Sequence, residues 1–191
     1  MEELKLWWKK GWVKNVLFLA ILGMLFFTNV GEWIRIQITS VTLSFPENEI
    51  IISDTAQDIH QFPLQLKNAN GDEFLLRENK GKPLFINFWA TWCVPCLAEF
   101  SSLEQFKSNF PEVEFMFITA ENQAVYDHYL SKTSHDLPFY RQLSSIPSEL
   151  SHGAIPATFL ISAEGKILYQ HIGGADWDNE ATIEEFRKLL N

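Results

Sequence analysis

The chain has 191 residues, of which 47% are hydrophobic and 20% charged, and its formal net charge is -9 at pH 7. This apolar content excludes a disordered chain, and the length suits one globular domain with a smaller appendage. The acidic balance argues against a nucleic-acid partner, because neutralising phosphates requires clustered lysines and arginines.

The N-terminal part of the chain has the pattern of a membrane anchor. Residues 15–31 are uncharged, and their number is close to the roughly 17 to 25 that cross a bilayer. Tryptophans, which are enriched at membrane interfaces, flank this run at Trp7, Trp8, Trp12 and Trp33. The four lysines before it favour a cytoplasmic N terminus. We therefore predict a cytoplasmic segment over 1–14, a single inner-membrane anchor over 15–34 in the lipid bilayer, and a periplasmic or extracellular remainder.

Two other structures are possible for this segment. A cleavable signal peptide needs small residues at a cleavage site after an apolar core of roughly 7 to 15 residues. The chain instead continues from Thr28 to Gly31 as TNVG, which offers no such site. A buried helix of a soluble core is the second alternative, but a run that is apolar all round, beside lysines and tryptophans, favours the anchor.

The predicted globular domain covers 61–191, and residues 35–60 are predicted to be a linker or an extra strand. Apolar residues alternate with period two from Ile34 to Phe45 before Pro46 ends the pattern. The domain then opens with a hairpin, in which residues 62–68 and 73–79 flank an Asn-Gly turn.

The elements that follow alternate between strands and helices. Residues 84–89 are almost continuously apolar, as in a strand covered on both faces. A helix is predicted next, because apolar side chains recur every third residue at Leu97, Phe100, Leu103 and Phe106. Residues 113–119 form a second core strand, so a parallel pair with a crossover helix is expected. The remaining predictions are a helix over 121–132, a hairpin of 157–162 with 166–172, and a terminal helix over 178–190.

The candidate chemistry lies at the junction between the first buried strand and the helix, where residues 88–96 read FWATWCVPC. Cys93 and Cys96 are the only cysteines in the chain. Unsatisfied N–H groups and a positive partial charge at a helix N terminus favour the thiolate of Cys93. The spacing lets the two sulfurs reach disulfide distance. We therefore predict that Cys93 attacks a substrate disulfide and that Cys96 resolves the mixed disulfide.

Other uses of this cysteine pair are disfavoured. A structural zinc site needs four ligands, and the chain has neither a second cysteine pair nor a histidine pair nearby. Attachment of c-type haem needs a histidine directly after the second cysteine, where this chain has Leu97. A purely structural disulfide would close too short a loop to stabilise the fold much. We therefore predict no bound metal and no cofactor.

The chain resembles the thioredoxin superfamily, and in particular its membrane-anchored, extracytoplasmic oxidoreductases of the TlpA and ResA type. The resemblance covers about residues 62–190 and rests on residues 88–96, on Glu99, on IPATFLI at 155–161 and on the hairpin at 165–167. It implies a thioredoxin-like α/β fold, with a central mixed β-sheet flanked by helices and an extra helix and strand within residues 121–152. It also implies protein disulfide substrates, a membrane thiol-electron donor, and a reducing role such as preparing apocytochrome c cysteines for haem attachment.

The same resemblance implies roles for residues around the cysteines. Pro156 corresponds to a cis-proline, and the backbone of Ile155 before it would pair with a bound substrate strand. Trp92 would offer exposed aromatic surface to a protein partner, whereas Trp89 is expected in the core. His152 is predicted to be an exposed loop histidine.

Two side chains bear on proton transfer. Thioredoxin has a buried aspartate in the strand before the motif, but this chain has Asn87, which cannot exchange a proton as a carboxylate does. Glu99 corresponds to an acidic residue that assists proton transfer in ResA-like proteins. Its alternative role is a carboxylate that stabilises the helix dipole.

Two other functions remain open from the sequence. A thiol peroxidase of the same superfamily would need an arginine near the motif, and none lies close to it. A non-enzymatic tethered module for assembly or metal handling is the other alternative.

Overall fold

The computed structural model describes residues 12–20, 23 and 58–190. Residues 12–20 are helical. Across these described ranges, no helix combines the length and the apolar character that a membrane crossing requires. The rest of the predicted anchor, together with residues 35–57 of the predicted linker or strand, lies outside the described residues.

The described domain contains seven strands and three α-helices. The strands are β1 (Gln65–Asn68), β2 (Glu73–Leu75), β3 (Leu84–Phe88), β4 (Glu114–Thr119), β5 (Phe139–Gln142), β6 (Ala157–Ile161) and β7 (Ile167–Ile172). Within the domain, the α-helices are α1 (Val94–Ser108), α2 (Gln123–Leu130) and α3 (Glu180–Leu190). Short 3-10 helices cover Ile59–Gln61, Leu76–Asn79 and Ser148–Leu150.

The strands form one mixed sheet in the order β2-β1-β5-β4-β3-β6-β7. Strand β4 runs parallel to β3 and to β5, and the other neighbouring pairs are antiparallel. The predicted parallel pair with its crossover helix is therefore confirmed as β3, α1 and β4. The extra helix and strand expected within residues 121–152 are α2 and β5.

The first hairpin is shorter than its sequence pattern suggested. Strands β1 and β2 pair across a turn in which Gly71 has a φ of 92°, a conformation that glycine adopts without strain. The residues from Leu76 onward were predicted to continue the strand, but they form a 3-10 helix. Glu78 stabilises the start of this turn, because its carboxylate accepts a hydrogen bond from the backbone N–H of Leu75 at 3.1 Å.

The two faces of the sheet are covered differently. All five residues of β3 are buried. Phe85 belongs to one apolar cluster, Leu84, Ile86 and Phe88 belong to the other, and Asn87 is the one polar residue of the strand. The three α-helices contribute side chains to one cluster, among them Phe100, Tyr126 and Phe186. On the other face, among the described residues, short 3-10 turns pack against the sheet through residues such as Ile59 and Leu150. The prediction of flanking α-helices therefore holds for one face of the described domain. Because Ile59 is buried, the packed part of the domain also includes residues before the predicted boundary at 61.

Strand register brings the motifs of the two halves of the domain together. Phe88, the last residue of β3, pairs with Ala157, the first residue of β6. The loop that leads to the cysteines therefore leaves β3 beside the Ile155–Pro156 peptide, which enters β6. One step earlier, Asn87 pairs with Thr158, and the Asn87 side chain faces α1.

Candidate active site

Cys93 and Cys96 form a disulfide at the N terminus of α1. The S–S distance is 2.02 Å and the Cα atoms lie 5.3 Å apart. Cys93 is the N-cap residue of the helix, and its Sγ accepts a hydrogen bond from the backbone N–H of Cys96 at 3.3 Å. A free helix N–H group is therefore directed at the sulfur that would carry negative charge after reduction.

The two sulfur-bearing residues differ in their access to solvent. Cys93 retains 4% of its surface exposed and Cys96 none, while Trp92 beside them is 72% exposed. Cys93 is thus the less enclosed of the two cysteines, and Trp92 is the large apolar surface next to it. Trp89 is buried, as predicted.

A carboxylate holds the loop that precedes Cys93. Glu121 accepts hydrogen bonds from both the backbone N–H and the hydroxyl of Thr91, each at 2.8 Å. The hydroxyl of Thr119, the last residue of β4, also donates to Glu121 at 3.3 Å. Glu121 was not among the site residues predicted from the sequence. Its position just after a parallel strand adjacent to β3 was the available signal, because the carboxyl ends of parallel neighbours meet at one edge of a sheet.

Glu99 lies wholly inside the domain, with no exposed surface. Its Oε1 accepts a hydrogen bond from Nδ2 of Asn87 at 2.9 Å. Its Oε2 accepts from the backbone N–H of Ala175 at 3.1 Å and from Nε1 of Trp177 at 3.0 Å. Burial raises the pKa of Glu99 to about 7, although these hydrogen bonds oppose the rise.

These contacts bear on the two roles left open for Glu99. The three groups that donate to its carboxylate all lie outside α1, so none of these hydrogen bonds comes from the N–H groups at the start of its own helix. A fully buried carboxyl with a pKa near neutrality can hold or release a proton under ordinary conditions. Trp177 and Ala175, which donate to Glu99 from the loop after β7, were not predicted from the sequence because no local pattern links that loop to α1.

Asn87 connects the strand below the cysteines to this carboxyl. Besides Glu99, its Nδ2 also donates to the hydroxyl of Thr158 at 3.0 Å. Asn87 is fully buried, and within the described residues its Oδ1 has no hydrogen-bond partner. The residue therefore supplies a donor to Glu99 and takes no proton itself.

The peptide bond between Ile155 and Pro156 is cis, as the resemblance implies. The carbonyl of Pro156 accepts a hydrogen bond from the backbone N–H of Gly173 at 2.8 Å, which ties this turn to the loop after β7. Pro156 is buried and Ile155 is partly exposed.

An open cavity of about 280 Å³ lies beside the cysteine loop. Its walls are largely aromatic and apolar, with a few polar groups, and include Phe88, Trp92, Ile155, Glu121, Gln142 and His152. His152 lies in a loop, as predicted, but it is not fully exposed. Its ring is half-buried because it stacks on Phe88, with 4.4 Å between ring centroids. Its Nδ1 lies 3.0 Å from the carbonyl oxygen of Leu150.

Comparisons with known proteins agree with this geometry. The family model described as Redoxin matches residues 51–190. The thiol-disulfide oxidoreductase ResA of Bacillus subtilis (strain 168) is 31% identical over 130 residues, which cover 65% of this chain and 70% of that protein. ResA of Halalkalibacterium halodurans is 29% identical over 129 residues, which cover 65% and 72% of the two chains.

Solved structures show the same fold. A structure described as a thiol:disulfide interchange protein DsbE from Chlorobium tepidum aligns with a TM-score of 0.59 at 20% identity. The aligned region covers 78% of this chain and 100% of that one. The exposed lipoprotein thioredoxin Etrx1 of Streptococcus pneumoniae has a TM-score of 0.57 at 21% identity, covering 66% of this chain and 98% of its own. The chain therefore belongs to the Redoxin family, and it is a ResA-like thiol-disulfide oxidoreductase of the thioredoxin superfamily.

Proposed function

We propose that the protein is a membrane-tethered, extracytoplasmic protein disulfide reductase that acts through the Cys93–Cys96 dithiol. The observation that supports this most directly is the disulfide itself, which lies at a helix N terminus and leaves only Cys93 with any exposed surface. Both the membrane tether and the reducing direction belong to the proposal.

The exchange proceeds in two steps. The Cys93 thiolate attacks a disulfide sulfur of the substrate, an S–S bond forms between Cys93 and the substrate, and the displaced substrate sulfur leaves as a thiolate that takes up a proton. Cys96 then attacks Sγ of Cys93, which closes the 93–96 disulfide and releases the second substrate thiol. Two electrons pass from the enzyme dithiol to the substrate, and a membrane thiol donor returns them.

Glu99 is proposed to accept the proton of Cys96 when that thiol becomes the nucleophile. The two residues are three positions apart on α1, so their side chains lie on the same face of the helix. Both are fully buried, and solvent does not provide a direct proton acceptor there. A carboxyl with a pKa of about 7 is suited to accept and later release this proton near neutral pH.

Substrate binding is proposed on the surface around Cys93. Trp92 provides exposed aromatic area, and the adjoining cavity can take a side chain of an extended polypeptide. The backbone of Ile155, before the cis peptide of Pro156, is proposed to pair with the substrate strand, as the family resemblance implies. Apocytochrome c is one substrate that this resemblance suggests.

The location rests on the sequence of residues 1–34. Four lysines, an uncharged run and flanking tryptophans support an inner-membrane anchor with the catalytic domain outside the cytoplasm. Fractionation of cells that express the full chain tests this placement. Recovery in the membrane fraction after alkaline carbonate washing, with the C terminus open to external protease, is expected.

The reaction is tested by insulin reduction and by the midpoint potential of the cysteine pair. We expect the wild type to reduce insulin and Cys93→Ser to be inactive, with a potential more negative than about -200 mV. A potential near -120 mV, in the range of strong oxidants, contradicts the reducing direction. Peroxide consumption without exchange on a protein disulfide would instead support the peroxidase alternative.

A further inference from the structure

The loop between β7 and α3 contacts the carboxylate oxygen of Glu99 that Asn87 does not contact. Two of its groups, the N–H of Ala175 and the indole N–H of Trp177, converge on the same oxygen, Oε2. The backbone N–H of Trp177 donates to the hydroxyl of Ser102 at 3.3 Å, and that hydroxyl donates to the carbonyl of Glu99 at 2.9 Å. Trp177 therefore holds both the side chain and the local backbone of Glu99.

The indole group has a specific electrostatic consequence for a buried carboxyl. Without water, the charged form of Glu99 is stabilised only by the donors that the protein supplies. An indole N–H can donate but cannot accept, so it favours the carboxylate over the neutral acid. Because two donors occupy Oε2, a proton is better accommodated on Oε1.

We propose that Trp177 is a positioning residue of the exchange reaction, which sets the proton affinity of Glu99 through the hydrogen bond from Nε1 to Oε2. The effect on proton affinity stands on this contact alone. Its consequence for catalysis rests on the proton-accepting role proposed for Glu99.

Other groups that could influence this proton surround the pair on several elements. Cys96 lies on α1, and Tyr169 on β7 is close enough to interact electrostatically with Glu99. His171, also on β7, lies edge-on to Trp177 with 6.1 Å between ring centroids. In the loop itself, Asp176 interacts chiefly with Asp178. A test must therefore change the indole N–H and leave these groups in place.

Trp177→Phe is suited to this purpose because the aromatic packing can remain. The Trp177 ring contacts Phe85, Phe106 and Phe186, with centroids 5.5 to 6.0 Å apart. Trp89→Phe is the matched control. Trp89 is also a buried tryptophan in an aromatic cluster, but its Nε1 has no hydrogen-bond partner among the described residues.

The test is a titration of the Glu99 carboxyl carbon by NMR in the oxidised full chain held in detergent, with Glu99→Gln used to assign the signal. We expect Trp177→Phe to raise the midpoint by about one pH unit or more, since the donor to the charged form is lost, and Trp89→Phe to leave it unchanged. An unchanged or lowered midpoint in folded Trp177→Phe overturns the proposal.

A measurement on the wild type keeps the test independent of variant folding. The indole N–H resonance of Trp177 should shift with the same midpoint as the Glu99 carboxyl, while that of Trp89 should not. A Trp177 indole resonance whose chemical shift does not change as Glu99 titrates also overturns the proposal.

The pH dependence of single-turnover insulin reduction distinguishes the effect of Trp177 on the proton affinity of Glu99 from the role of Glu99 in catalysis. If Glu99 accepts the proton of Cys96, the reaction rate rises with pH as Glu99 ionises. Trp177→Phe then shifts this rise to higher pH, and Glu99→Gln abolishes it. If the NMR midpoint moves but the rate profiles of wild type and Glu99→Gln coincide, the role of Glu99 fails and the effect of Trp177 on its proton affinity stands.

Discussion

The side-chain amide of Asn87 donates to the carboxyl of Glu99 across 2.9 Å, and neither residue has any exposed surface. The strand position that holds an acid in thioredoxin here holds a donor, and the buried acid lies on the helix instead. The strand residue and the helix residue together thus provide one ionisable group and one partner for it.

Asn87→Asp is expected to destabilise the protein, and more so at alkaline pH. The variant places two carboxyls in contact without solvent, and ionising both is unfavourable. We expect a loss of about 2 to 4 kcal/mol in the free energy of unfolding at pH 8 and a smaller loss at pH 5, measured by denaturant unfolding. The double variant Asn87→Asp with Glu99→Gln is the control, and it should recover part of the loss at pH 8. Equal losses at both pH values would contradict this prediction.

The buried Glu99 should make the fold less stable as the pH rises toward neutrality. Its folded pKa of about 7 exceeds the ordinary value of 4.5, so the folded state binds more protons than the unfolded state between these values. The stability associated with neutral Glu99 is present at the acid end and is lost through pH 7, by about 3 kcal/mol in total. Glu99→Gln should remove this slope.

The free energy of unfolding of wild type and of Glu99→Gln is measured at the same pH values. Titration of other groups contributes equally to both proteins and cancels in the difference. Any cost of the glutamine itself is the same at each pH. A constant difference between wild type and Glu99→Gln from pH 4.5 to 8 would show that Glu99 has an ordinary pKa.

Glu121 is expected to stabilise the cysteine loop through its geometry more than through its charge. Glu121→Ala removes both hydrogen bonds to Thr91 and should lower the free energy of unfolding by about 1 to 3 kcal/mol. Glu121→Gln should lose less, because the amide oxygen can accept from the N–H of Thr91 while the amide nitrogen donates to its hydroxyl.

Glu112→Ala, at an exposed position before β4, is the matched control for removing a carboxylate and should change stability little. Thermal unfolding of the three variants decides between the two contributions. If Glu121→Gln is as unstable as Glu121→Ala, charge and not geometry carries the effect.

Much of the fold was predictable because its signals are local. The continuous apolar run of β3, the three-residue period of α1 and the Asn-Gly turn each determine an element within a few residues. The cysteine motif and Pro156 could be placed together through the family resemblance, and the register of β3 with β6 accounts for that placement. Strand β5 was expected only from the resemblance, because Phe139 is its one buried side chain and its sequence carries little strand signal.

The partners of the site residues could not be predicted, since they come from distant parts of the chain. Trp177 lies 78 positions from Glu99 and Glu121 lies 30 positions from Thr91, so no spacing rule connects them. The partial burial of His152 was not predicted for the same reason, because it depends on stacking against a strand residue far away in the sequence. Tertiary contacts of this kind decide burial, and burial decides the pKa of Glu99.

Trp92 is expected to contribute to substrate binding and not to stability. Trp92→Ala should lower kcat/KM for insulin by about fivefold, since an aromatic contact with the polypeptide is lost. Reduction of a small aromatic disulfide reagent should change less, because that substrate does not span the surface. The unfolding free energy should be unchanged, as the side chain is 72% exposed. A similar loss with both substrates would contradict a role in polypeptide binding.

Trapping of the mixed disulfide is the most direct measurement of the central assignment, in which Cys93 attacks and Cys96 resolves. With oxidised insulin as substrate, Cys96→Ala should accumulate a covalent adduct through Cys93, visible on a non-reducing gel and located by mass spectrometry. Cys93→Ala should form none, because the remaining sulfur has no exposed surface. An adduct through Cys96 that forms as readily as the one through Cys93 would contradict the account.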